Sequence, residues 1–451
     1  MQRETLGSRL GFILISAGCA IGIGNVWRFP YLCGQYGGGA FVLIYLFFLI
    51  IMGLPAMCME FAVGRAARKS PIHMFQELEP KGTVWHIHGV FCMIGNYLLM
   101  MFYTTVAGWM FQYFFQEVSG KFEGMDPEAV AGVFSDGLLN PALQVGFMAI
   151  VVVLGFFVNM RGLQGGLERV TKVMMTLLII IMIVLAVNSL FLPGAAEGIR
   201  YLLVPDFGRM QEQGVWKVIV AAMNQSFFTL SIGIGSMAIF GSYINRDQSL
   251  LGESVNVVIL DTLVAISSGL IIIPACFAYG VESTAGPGLI FITLPNIFNH
   301  MPLGRLWGSL FFIFMTFAAF STVLAVFENI MAMCMDLFGW NRQKAGLINM
   351  FAVFILSLPC SLGFNVLSAI QPKGEGSTFL DLEDYIVSNF LLPLGALVFV
   401  LFCTRKTGWG WENFKAEADE GEGLKIQDWM RGYITWILPI LILIVFVMGL
   451  I

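Results

Sequence analysis

The sequence is poor in charged residues, since Asp, Glu, Lys and Arg make up only 12% of its 451 residues, against about 25% in soluble domains. Hydrophobic residues make up 58%, and the mean hydropathy is +0.82. No soluble core can absorb that much apolar surface. The shortage of charge therefore excludes a soluble globular protein and predicts an all-α polytopic membrane protein in a lipid bilayer. The net charge of −5 is small, and we expect no nucleic-acid partner.

Metal-binding and nucleophile motifs are also lacking. The cysteines occur singly with no CxxC pair, which favours packing roles over a metal site or a disulfide framework; they are Cys19, Cys33, Cys58, Cys92, Cys276, Cys334, Cys360 and Cys403. Four histidines are present, and none belongs to an HExxH motif. His86 and His88 would point to different helix faces, so we expect interfacial capping there rather than a metal site. We do not expect an enzyme.

Long apolar runs, by contrast, are abundant. Eleven runs are long enough to span a bilayer as helices, at residues 11–34, 40–65, 87–116, 142–159, 167–190, 215–240, 251–279, 305–336, 344–362, 383–403 and 430–450. We expect one transmembrane domain over residues 1–451, with spans 1–5 at about 11–190, spans 6–10 at about 215–403 and span 11 at about 430–450.

Lys and Arg predict the orientation, because short cytoplasmic loops carry most of them. With the N-terminus inside, the cytoplasmic segments hold Arg3, Arg9, Arg65, Arg68, Lys69, Arg161, Arg246, Arg342, Lys344, Arg405, Lys406, Lys415 and Lys425. The opposite side holds mainly Lys121, Arg200, Arg209 and Lys373. We therefore expect the N-terminus inside and the C-terminus outside. The first apolar run contains Asn25 and Arg28, and we do not expect it to be a cleavable signal peptide.

Two of the runs are interrupted by the same phrase, Ile-Gly-Ile-Gly, at residues 21–24 and 232–235. Each glycine costs about 1 kcal/mol relative to Ala in a helix interior. Loosened backbone within a membrane is tolerated only where it faces protein or a water-filled cavity. A matched pair of interrupted spans is typical of a transporter's binding site.

Further motifs surround these breaks along nearly the whole chain. They are Ser8-Arg9-Leu10-Gly11, G-I-G-N-x-W-R-F-P from Gly22, Gly37-Gly38-Gly39-Ala40-Phe41, Glu60 with Gly64-Arg65, Arg161-Gly162 with Glu168-Arg169, Pro205-Asp206-Phe207, Gln225 with the run from Phe227 to Ser231, and Phe291-Ile292-Thr293-Leu294-Pro295. Together and in this order they resemble the neurotransmitter:sodium symporter family.

The resemblance implies a LeuT-like fold of eleven transmembrane helices, as in some bacterial members, although twelve are usual in the family. Spans 1–5 would form an inverted repeat with spans 6–10, and spans 1 and 6 would be broken at mid-membrane. The expected location is the bacterial cytoplasmic (inner) membrane. The expected function is sodium-coupled symport of an amino acid by alternating access. A binding receptor or a channel on the same fold is the alternative, and the oligomeric state is open.

The resemblance also implies two sodium sites built from oxygen ligands. The first would use the Ala20 carbonyl, Asn25, Thr229, Asp261 and the substrate carboxylate. The second would use the carbonyls of Gly18, Ile21 and Ala318 with the hydroxyls of Ser321 and Thr322. In the alternative interpretation, these hydroxyls bond their own helix backbone.

Chloride is expected to be unnecessary. Eukaryotic members complete a chloride site with a Ser one turn after the position of Asp261, where this chain has Ala265. We infer that Asp261 supplies the negative charge instead.

Several ionisable residues receive expected roles from the family. Arg28 and Asp384, with Gln225 beside them, would close the outer side, while Arg3, Asp336 and Tyr243 would close the inner side. The alternative for Arg3 is positive-inside topology, and the alternative for Asp336 is a helix end. Leu6, three positions after Arg3, stands where the family usually has an aromatic residue.

Glu60 would bind the loosened backbone of span 6, unless it is a helix-end carboxylate near Arg65. Glu328 is a candidate for proton coupling, against a structural hydrogen bond.

The residues expected around the substrate are Cys19, Ala20, Gly22, Ile23, Gly24, Leu99, Tyr103, Phe228, Thr229, Ser231, Ile234, Thr322 and Val326. Tyr103 would bind the substrate carboxylate and Phe228 would cover the site. Monoamine-transporting relatives carry an Asp at the position of Gly22, so glycine indicates a substrate that brings its own carboxylate. Leu99, Ile234 and Val326 favour an aliphatic or aromatic side chain. A neutral, hydrophobic α-amino acid is therefore the expected substrate.

Overall fold

The computed structural model describes residues 4–280 and 287–450, and within these ranges the regular elements are all helical. The first half of the chain forms α1 (Arg9–Ala20), α2 (Gly24–Gln35), α3 (Gly39–Ala67), α4 (Pro71–Leu78), α5 (Ile87–Val118), α6 (Pro127–Leu139), α7 (Pro141–Met160) and α8 (Leu163–Leu190). The connecting segment forms α9 (Ala195–Leu203) and α10 (Phe207–Gln213).

The second half begins with α11 (Val215–Phe228), α12 (Ser236–Gly241) and α13 (Leu250–Ala278). A π-helical turn (Leu289–Thr293) leads into α14 (Leu294–His300). The chain continues as α15 (Gly304–Phe338), α16 (Arg342–Leu362), α17 (Phe379–Thr404), α18 (Trp411–Ala418) and α19 (Met430–Met448).

Nine of the described helices are long and apolar enough to cross a membrane, and ten if the bent pair α1 and α2 is one span. This confirms an all-helical, multi-pass membrane protein. The expected sixth span is divided into α11 and α12 by residues 229–235, which are not helical.

Polar side chains cap many of the helices where the sequence places them before an apolar run. Ser8 accepts a hydrogen bond from the Gly11 N–H at 3.0 Å at the start of α1. The same type of cap is made by Asp126 at α6, Asn140 at α7, Asp206 at α10 and Asn341 at α16. These side chains satisfy N–H groups that have no partner within the helix, and so they fix where each helix begins.

The helices form a central group and a peripheral group. Helix α15 is the most enclosed, with 78% of its most apolar stretch buried, and it packs against α1, α5, α8 and α12. In α19 the corresponding share is 28%, and in α7 and α8 it is 33%. The outer faces of these peripheral helices expose Val, Leu and Ile side chains, as expected for contact with lipid. Ile21 of the first break and Ile232 of the second are fully buried, so both breaks lie inside the protein.

Candidate functional site at the helix breaks

The first break separates α1 from α2, which are bent by 56° relative to each other. At Ile21 the backbone leaves the helix with φ −71° and ψ 98°. The last carbonyls of α1 consequently lack helical N–H donors. Hydroxyl groups from other elements bond them instead: the Ser321 hydroxyl donates to Gly18 O at 2.9 Å, and the Ser231 hydroxyl donates to Cys19 O at 3.3 Å.

The second break, between α11 and α12, has a different backbone. Ser231, Gly233 and Gly235 all have positive φ, at 51°, 106° and 73°. The Glu60 carboxylate from α3 accepts hydrogen bonds from the Gly233 N–H and, at 3.3 Å, from the Met237 N–H. Arg65, by contrast, bonds Glu417 of α18 at 2.7 Å. Glu60 thus bonds the loosened backbone of the second break, while the partner of Arg65 is Glu417.

The residues expected at the first sodium site form one buried cluster. The Asn25 amide donates to the Asp261 carboxylate at 2.8 Å, and the Thr229 hydroxyl donates to it at 3.1 Å. All three side chains are fully buried. Ala20 is the last residue of α1, so its carbonyl belongs to the unpaired helix end. The cluster therefore offers carboxylate, amide, hydroxyl and carbonyl oxygens, a set that suits a hard cation.

The residues expected at the second sodium site also lie together, between α1 and α15. The Ser321 hydroxyl lies within hydrogen-bond distance of three carbonyl oxygens, those of Gly18 at 2.9 Å, Ala318 at 2.9 Å and Ile21 at 3.4 Å. The Thr322 hydroxyl lies 3.3 Å from both the Gly18 and the Ile21 carbonyl oxygens. Ser321 bonds its own helix at Ala318, as the alternative interpretation has it, but both hydroxyls also bond α1. All five oxygen atoms converge in one place.

A cavity of about 20 Å³, here called the central cavity, lies beside both clusters. Its lining residues are Ala20, Gly22, Ile23, Gly24, Leu99, Tyr103, Phe228, Ser231, Thr322 and Leu392. The Ile23 N–H donates to the Tyr103 hydroxyl at 3.1 Å, so Tyr103 reaches the loosened backbone of the first break. Drug-sized ligands occupy pockets of roughly 300–1,000 Å³. The central cavity must therefore widen before it can hold an amino acid.

Four residues expected around the substrate do not line the central cavity. Thr229 belongs to the cluster around Asp261, and the Cys19 carbonyl is bonded by Ser231 and Thr322. Ile234 and Val326 are buried in the core, and the Ile234 carbonyl accepts a hydrogen bond from Asn96 at 2.9 Å.

Two residues that sequence reasoning missed contribute to the site. Leu392 of α17 lines the central cavity, and Tyr45 of α3 is fully buried with its hydroxyl facing Asp261 and Thr229. Pro393 and Gly395 follow Leu392 in an apolar span, and this pattern is a signal of close backbone approach that could have drawn attention to α17. No local signal distinguishes Tyr45.

An outer cavity of about 480 Å³ lies next to the central one and shares Ile23, Tyr103 and Phe228 with it. Arg28 and Asp384 both line this outer cavity, but no ion pair within 4 Å joins them in the described residues. The Arg28 guanidinium instead lies 4.3 Å from the centroid of the Phe228 ring, a cation–π distance. Phe228 thus stands between the two cavities under Arg28.

Gln225 lies deeper than the expected outer pair. Its amide donates to the Gly24 carbonyl at 3.0 Å, and its side chain is fully buried. The structure therefore attaches Gln225 to the backbone of the first break.

On the opposite side of the breaks, Glu328 is the centre of a polar network. The Tyr243 hydroxyl donates to Glu328 at 2.8 Å, and Arg342 forms an ion pair with it at 2.7 Å. Asp336 accepts a hydrogen bond from the Ser70 N–H at 2.7 Å. Arg3, the third member of the expected inner gate, lies outside the described residues. Glu328 thus accepts a hydrogen bond from a neighbour, as the alternative interpretation has it, and it also forms an ion pair with Arg342.

His86 and His88 have separate surroundings. His86 forms a 2.6 Å contact with Glu79, whereas the half-buried His88 ring packs edge-on against Phe75 and Phe399. Across residues 4–280 and 287–450, no group of three His, Cys, Asp or Glu side chains is placed to hold a metal ion.

Comparison with known proteins agrees with this architecture. The model of the sodium:neurotransmitter symporter family matches residues 3–126 and 128–451. The chain is 34% identical to the sodium-dependent transporter YhdH of Bacillus subtilis, over 88% of this chain and 87% of that protein. It is 31% identical to a sodium-dependent transporter of Haemophilus influenzae, over 100% and 98% of the two chains.

A solved structure is similar over almost the whole chain. The crystal structure of MhsT in complex with L-phenylalanine matches with a TM-score of 0.89 and 37% identity, covering 99% of this chain and 100% of that one. The family resemblance drawn from the motifs is thereby confirmed. The chain belongs to the sodium:neurotransmitter symporter family, whose members are sodium-dependent membrane transporters and not enzymes.

Proposed function

We propose that this protein is a symporter that couples the entry of sodium to the import of a neutral, hydrophobic α-amino acid and does not require chloride. The observation that carries the proposal is the meeting of two oxygen clusters at the helix breaks, beside one cavity. Asn25, Thr229 and Asp261 form the first cluster, and Ser321 and Thr322 with the α1 carbonyls form the second. Two sodium ions are accordingly the proposed co-substrates.

The substrate class follows from the surroundings of Gly22. A side chain at this position would overlap the Tyr103 hydroxyl and lie 2.7 Å from the Thr322 hydroxyl, so no protein carboxylate can be placed there. The substrate's own carboxylate is then the group that completes the first sodium site, with Tyr103 as its hydrogen-bond donor. Leu99 and Leu392 provide an apolar wall for the side chain. The L-phenylalanine bound by MhsT supports an aromatic or aliphatic amino acid.

Independence from chloride rests on Asp261. Its carboxylate lies within hydrogen-bond distance of Asn25 and Thr229, and Ala265 one turn later has no hydroxyl. The carboxylate of Asp261, itself a proposed ligand of the first sodium ion, supplies the negative charge that a bound anion would otherwise provide. The membrane potential also drives transport: each sodium ion that crosses the whole field releases about 2.3 kcal/mol per 100 mV.

Alternating access requires the central cavity to communicate with each side in turn. Phe228, which separates the central cavity from the outer one, is the proposed outer barrier, and the Arg28 guanidinium packs on its ring from the side of the outer cavity. The network of Tyr243, Glu328 and Arg342 is the proposed inner barrier, together with Arg3 and Asp336. One arrangement of these barriers opens the central cavity to the outside and the other opens it to the inside. A ligand shifts the equilibrium between two states only if it binds them with different affinities, so the substrate must bind these two arrangements unequally.

The proposed architecture has eleven spans in a single transmembrane domain over residues 1–451. It counts α11 and α12 as one broken span, and it relates spans 1–5 to spans 6–10 as inverted repeats. We place the N-terminus in the cytoplasm and the C-terminus outside the bacterial inner membrane, because the basic residues concentrate on one set of loops.

The test is uptake into proteoliposomes that contain the purified full-length protein. With an inward sodium gradient we expect labelled L-phenylalanine to accumulate, and we expect unlabelled aliphatic and aromatic amino acids to compete. Replacing chloride by gluconate should leave uptake unchanged, while replacing sodium by potassium should abolish it. Uptake driven by protons without sodium would overturn the ion assignment. Binding without accumulation would indicate a receptor, and flux that no gradient can drive uphill would indicate a channel.

A further inference from the structure

A cavity of about 690 Å³, here called the lateral cavity, lies between the C-terminal end of α5 and the N-terminal end of α15. It shares no lining residue with the central or the outer cavity. Its volume falls within the roughly 300–1,000 Å³ typical of small-molecule sites. It therefore needs an explanation separate from the site at the helix breaks.

The lateral cavity is bordered by a buried carboxylate for which residues 4–280 and 287–450 supply no partner. Glu117 is only 4% exposed, and in the described part of the chain its carboxylate accepts no hydrogen bond and has no cationic side chain within 4 Å. A Cβ at Gly308 would lie 2.5 Å from the Glu117 Oε2 atom, so the absence of a side chain at Gly308 leaves room for this carboxylate. A buried carboxyl group without a partner is costly in free energy, and a cation or hydrogen-bond donor that reaches it removes that cost.

The other polar groups around the cavity already have partners. Arg305 donates from its Nε to the Val118 carbonyl at 2.9 Å and lies 3.8 Å from Glu123. The Asn299 amide donates to the Met125 carbonyl at 2.7 Å, and its oxygen accepts from the Gly124 N–H at 3.1 Å. Glu117 is therefore the group to which a ligand can supply a missing interaction.

The walls define the rest of the ligand. Phe122 and Phe298 line the cavity, and Tyr113 stacks on Phe122 with ring centroids 5.6 Å apart. Aromatic rings favour a nearby ammonium through their negative faces and also cover apolar carbon atoms. The lining thus combines one unpaired carboxylate with aromatic surface.

We propose that the lateral cavity binds a protonated primary amine, whose ammonium pairs with the Glu117 carboxylate while its apolar part lies against Phe122 and Phe298. The amine has two possible sources, a simple organic amine or the ammonium group of a free amino acid. In the second case the amino acid's carboxylate meets the exposed Arg305 at the rim.

Three probes of one size separate these chemistries. Phenethylamine has an ammonium and no carboxylate, L-phenylalanine has both, and 3-phenylpropionate has only the carboxylate. Binding to the full-length protein in lipid nanodiscs is measured by isothermal titration calorimetry in potassium buffer without sodium, which removes the contribution of a sodium-dependent central site. We expect phenethylamine to bind with one-to-one stoichiometry and 3-phenylpropionate not to bind.

Glu117→Gln is the test variant, since it keeps the shape of the side chain and removes its charge. We expect it to raise the dissociation constant of phenethylamine at least tenfold. Glu123→Gln, at an exposed carboxylate of the same cavity, is the matched control and should change that constant less than threefold. Sodium-dependent uptake of L-phenylalanine by both variants serves as the control that they fold. The same uptake measurement tests the proposed transport function independently of amine binding at the lateral cavity.

Several outcomes would overturn the proposal: equal affinity of Glu117→Gln and the unaltered chain for phenethylamine, binding of 3-phenylpropionate as tight as that of phenethylamine, or no binding of either ammonium compound below 10 mM. If L-phenylalanine binds as well as phenethylamine and loses affinity in Glu117→Gln, the physiological source is a free amino acid. If only phenethylamine binds, the source is a simple amine.

Discussion

The glycines of the two breaks serve different physical purposes, although they occur in the same Ile-Gly-Ile-Gly phrase. Gly233 and Gly235 have φ of 106° and 73°, values that residues with a Cβ rarely adopt. Neither Gly22 nor Gly24 has a positive φ, but a Cβ on Gly22 would collide with Tyr103, and one on Gly24 would lie 2.9 Å from the Phe228 ring. The first pair of glycines provides space and the second pair provides backbone freedom.

The space at Gly22 leads to a prediction for Gly22→Ala. The added methyl group must displace Tyr103 or Thr322, and such overpacking typically costs about 1–3 kcal/mol. We expect substrate affinity in sodium-dependent uptake to fall by roughly 5–150-fold. Gly146→Ala on α7 is the control, since a Cβ there would meet no atom of the described chain within 4 Å. Unchanged affinity in Gly22→Ala would show that the substrate does not bind beside this residue.

Two threonines of α15 allow a matched test of the second sodium site. The Thr322 hydroxyl bonds carbonyls at the end of α1, whereas the Thr316 hydroxyl bonds the Phe312 carbonyl of its own helix, at 2.7 Å, and no other group in the described part of the chain. We expect Thr322→Ala to raise the sodium concentration for half-maximal uptake by roughly tenfold, because one ligand oxygen is lost and a hydrogen bond of this type contributes about 1 kcal/mol or more. Thr316→Ala should leave that concentration unchanged. Equal effects of the two variants would contradict the site.

At the scale of elements, a loosened backbone remains ordered because other helices hold it. The second break is held from one side by Glu60 of α3 and from the other by the backbone of α17. A Cβ on Gly233 would lie 2.9 Å from the Leu392 Cα, and a Cβ on Gly395 would overlap the Gly233 carbonyl oxygen. Contact between small residues lets helix backbones approach closely in a membrane. Helix α17 is therefore a structural support of the site.

The close contact between α17 and the second break predicts the effect of Gly395→Ala. The methyl group would push α17 away from Gly233 and leave a gap, so we expect a destabilisation of about 1–3 kcal/mol. Thermal unfolding of the purified protein should occur at a lower temperature, and uptake should decrease. Gly432→Ala in α19 is the control, because a Cβ there would have no neighbour within 4 Å among the described residues. Identical melting of both variants would show that the contact carries no stability.

At the scale of the whole molecule, α6 contacts the C-terminal part of α5, where Phe134 meets Tyr113, whereas α18 is held to the C-terminal end of α3 by the ion pair of Glu417 with Arg65. The proposed orientation places α6 outside the cell and α18 inside. All eight cysteines are buried, so the unaltered chain should react slowly with a membrane-impermeant maleimide. Glu128 of α6 and Asn413 of α18 are exposed. In intact bacterial cells we expect the reagent to label Glu128→Cys and not Asn413→Cys, and in inverted vesicles we expect the reverse. Labelling of Asn413→Cys alone in intact cells would invert the topology.

Most helix limits were predictable from the sequence, because apolar runs end at polar caps, glycines or prolines. The run at 87–116 became α5 (Ile87–Val118), and the run at 305–336 became α15 (Gly304–Phe338). The expected first and sixth spans are the ones that do not form continuous helices, and the interruption is longer in the sixth, at residues 229–235. Its second half, α12, has only six residues and depends on Glu60 and on tertiary packing. Hydropathy records the length of an apolar run and not whether its backbone is helical throughout.

The sequence by itself determined the membrane class, the limits of most apolar helices, both break points and the family. These properties follow from local composition, periodicity and short motifs. Only the tertiary structure decided that Phe228 lies under Arg28 between two cavities, and that Leu392 lines the central cavity. It also decided that Glu117 borders the lateral cavity with no partner among the described residues. Such contacts join residues that are distant in the chain, and they depend on how helices pack. A local pattern cannot encode that packing, because each helix presents several faces and only the assembled bundle selects which of them meet.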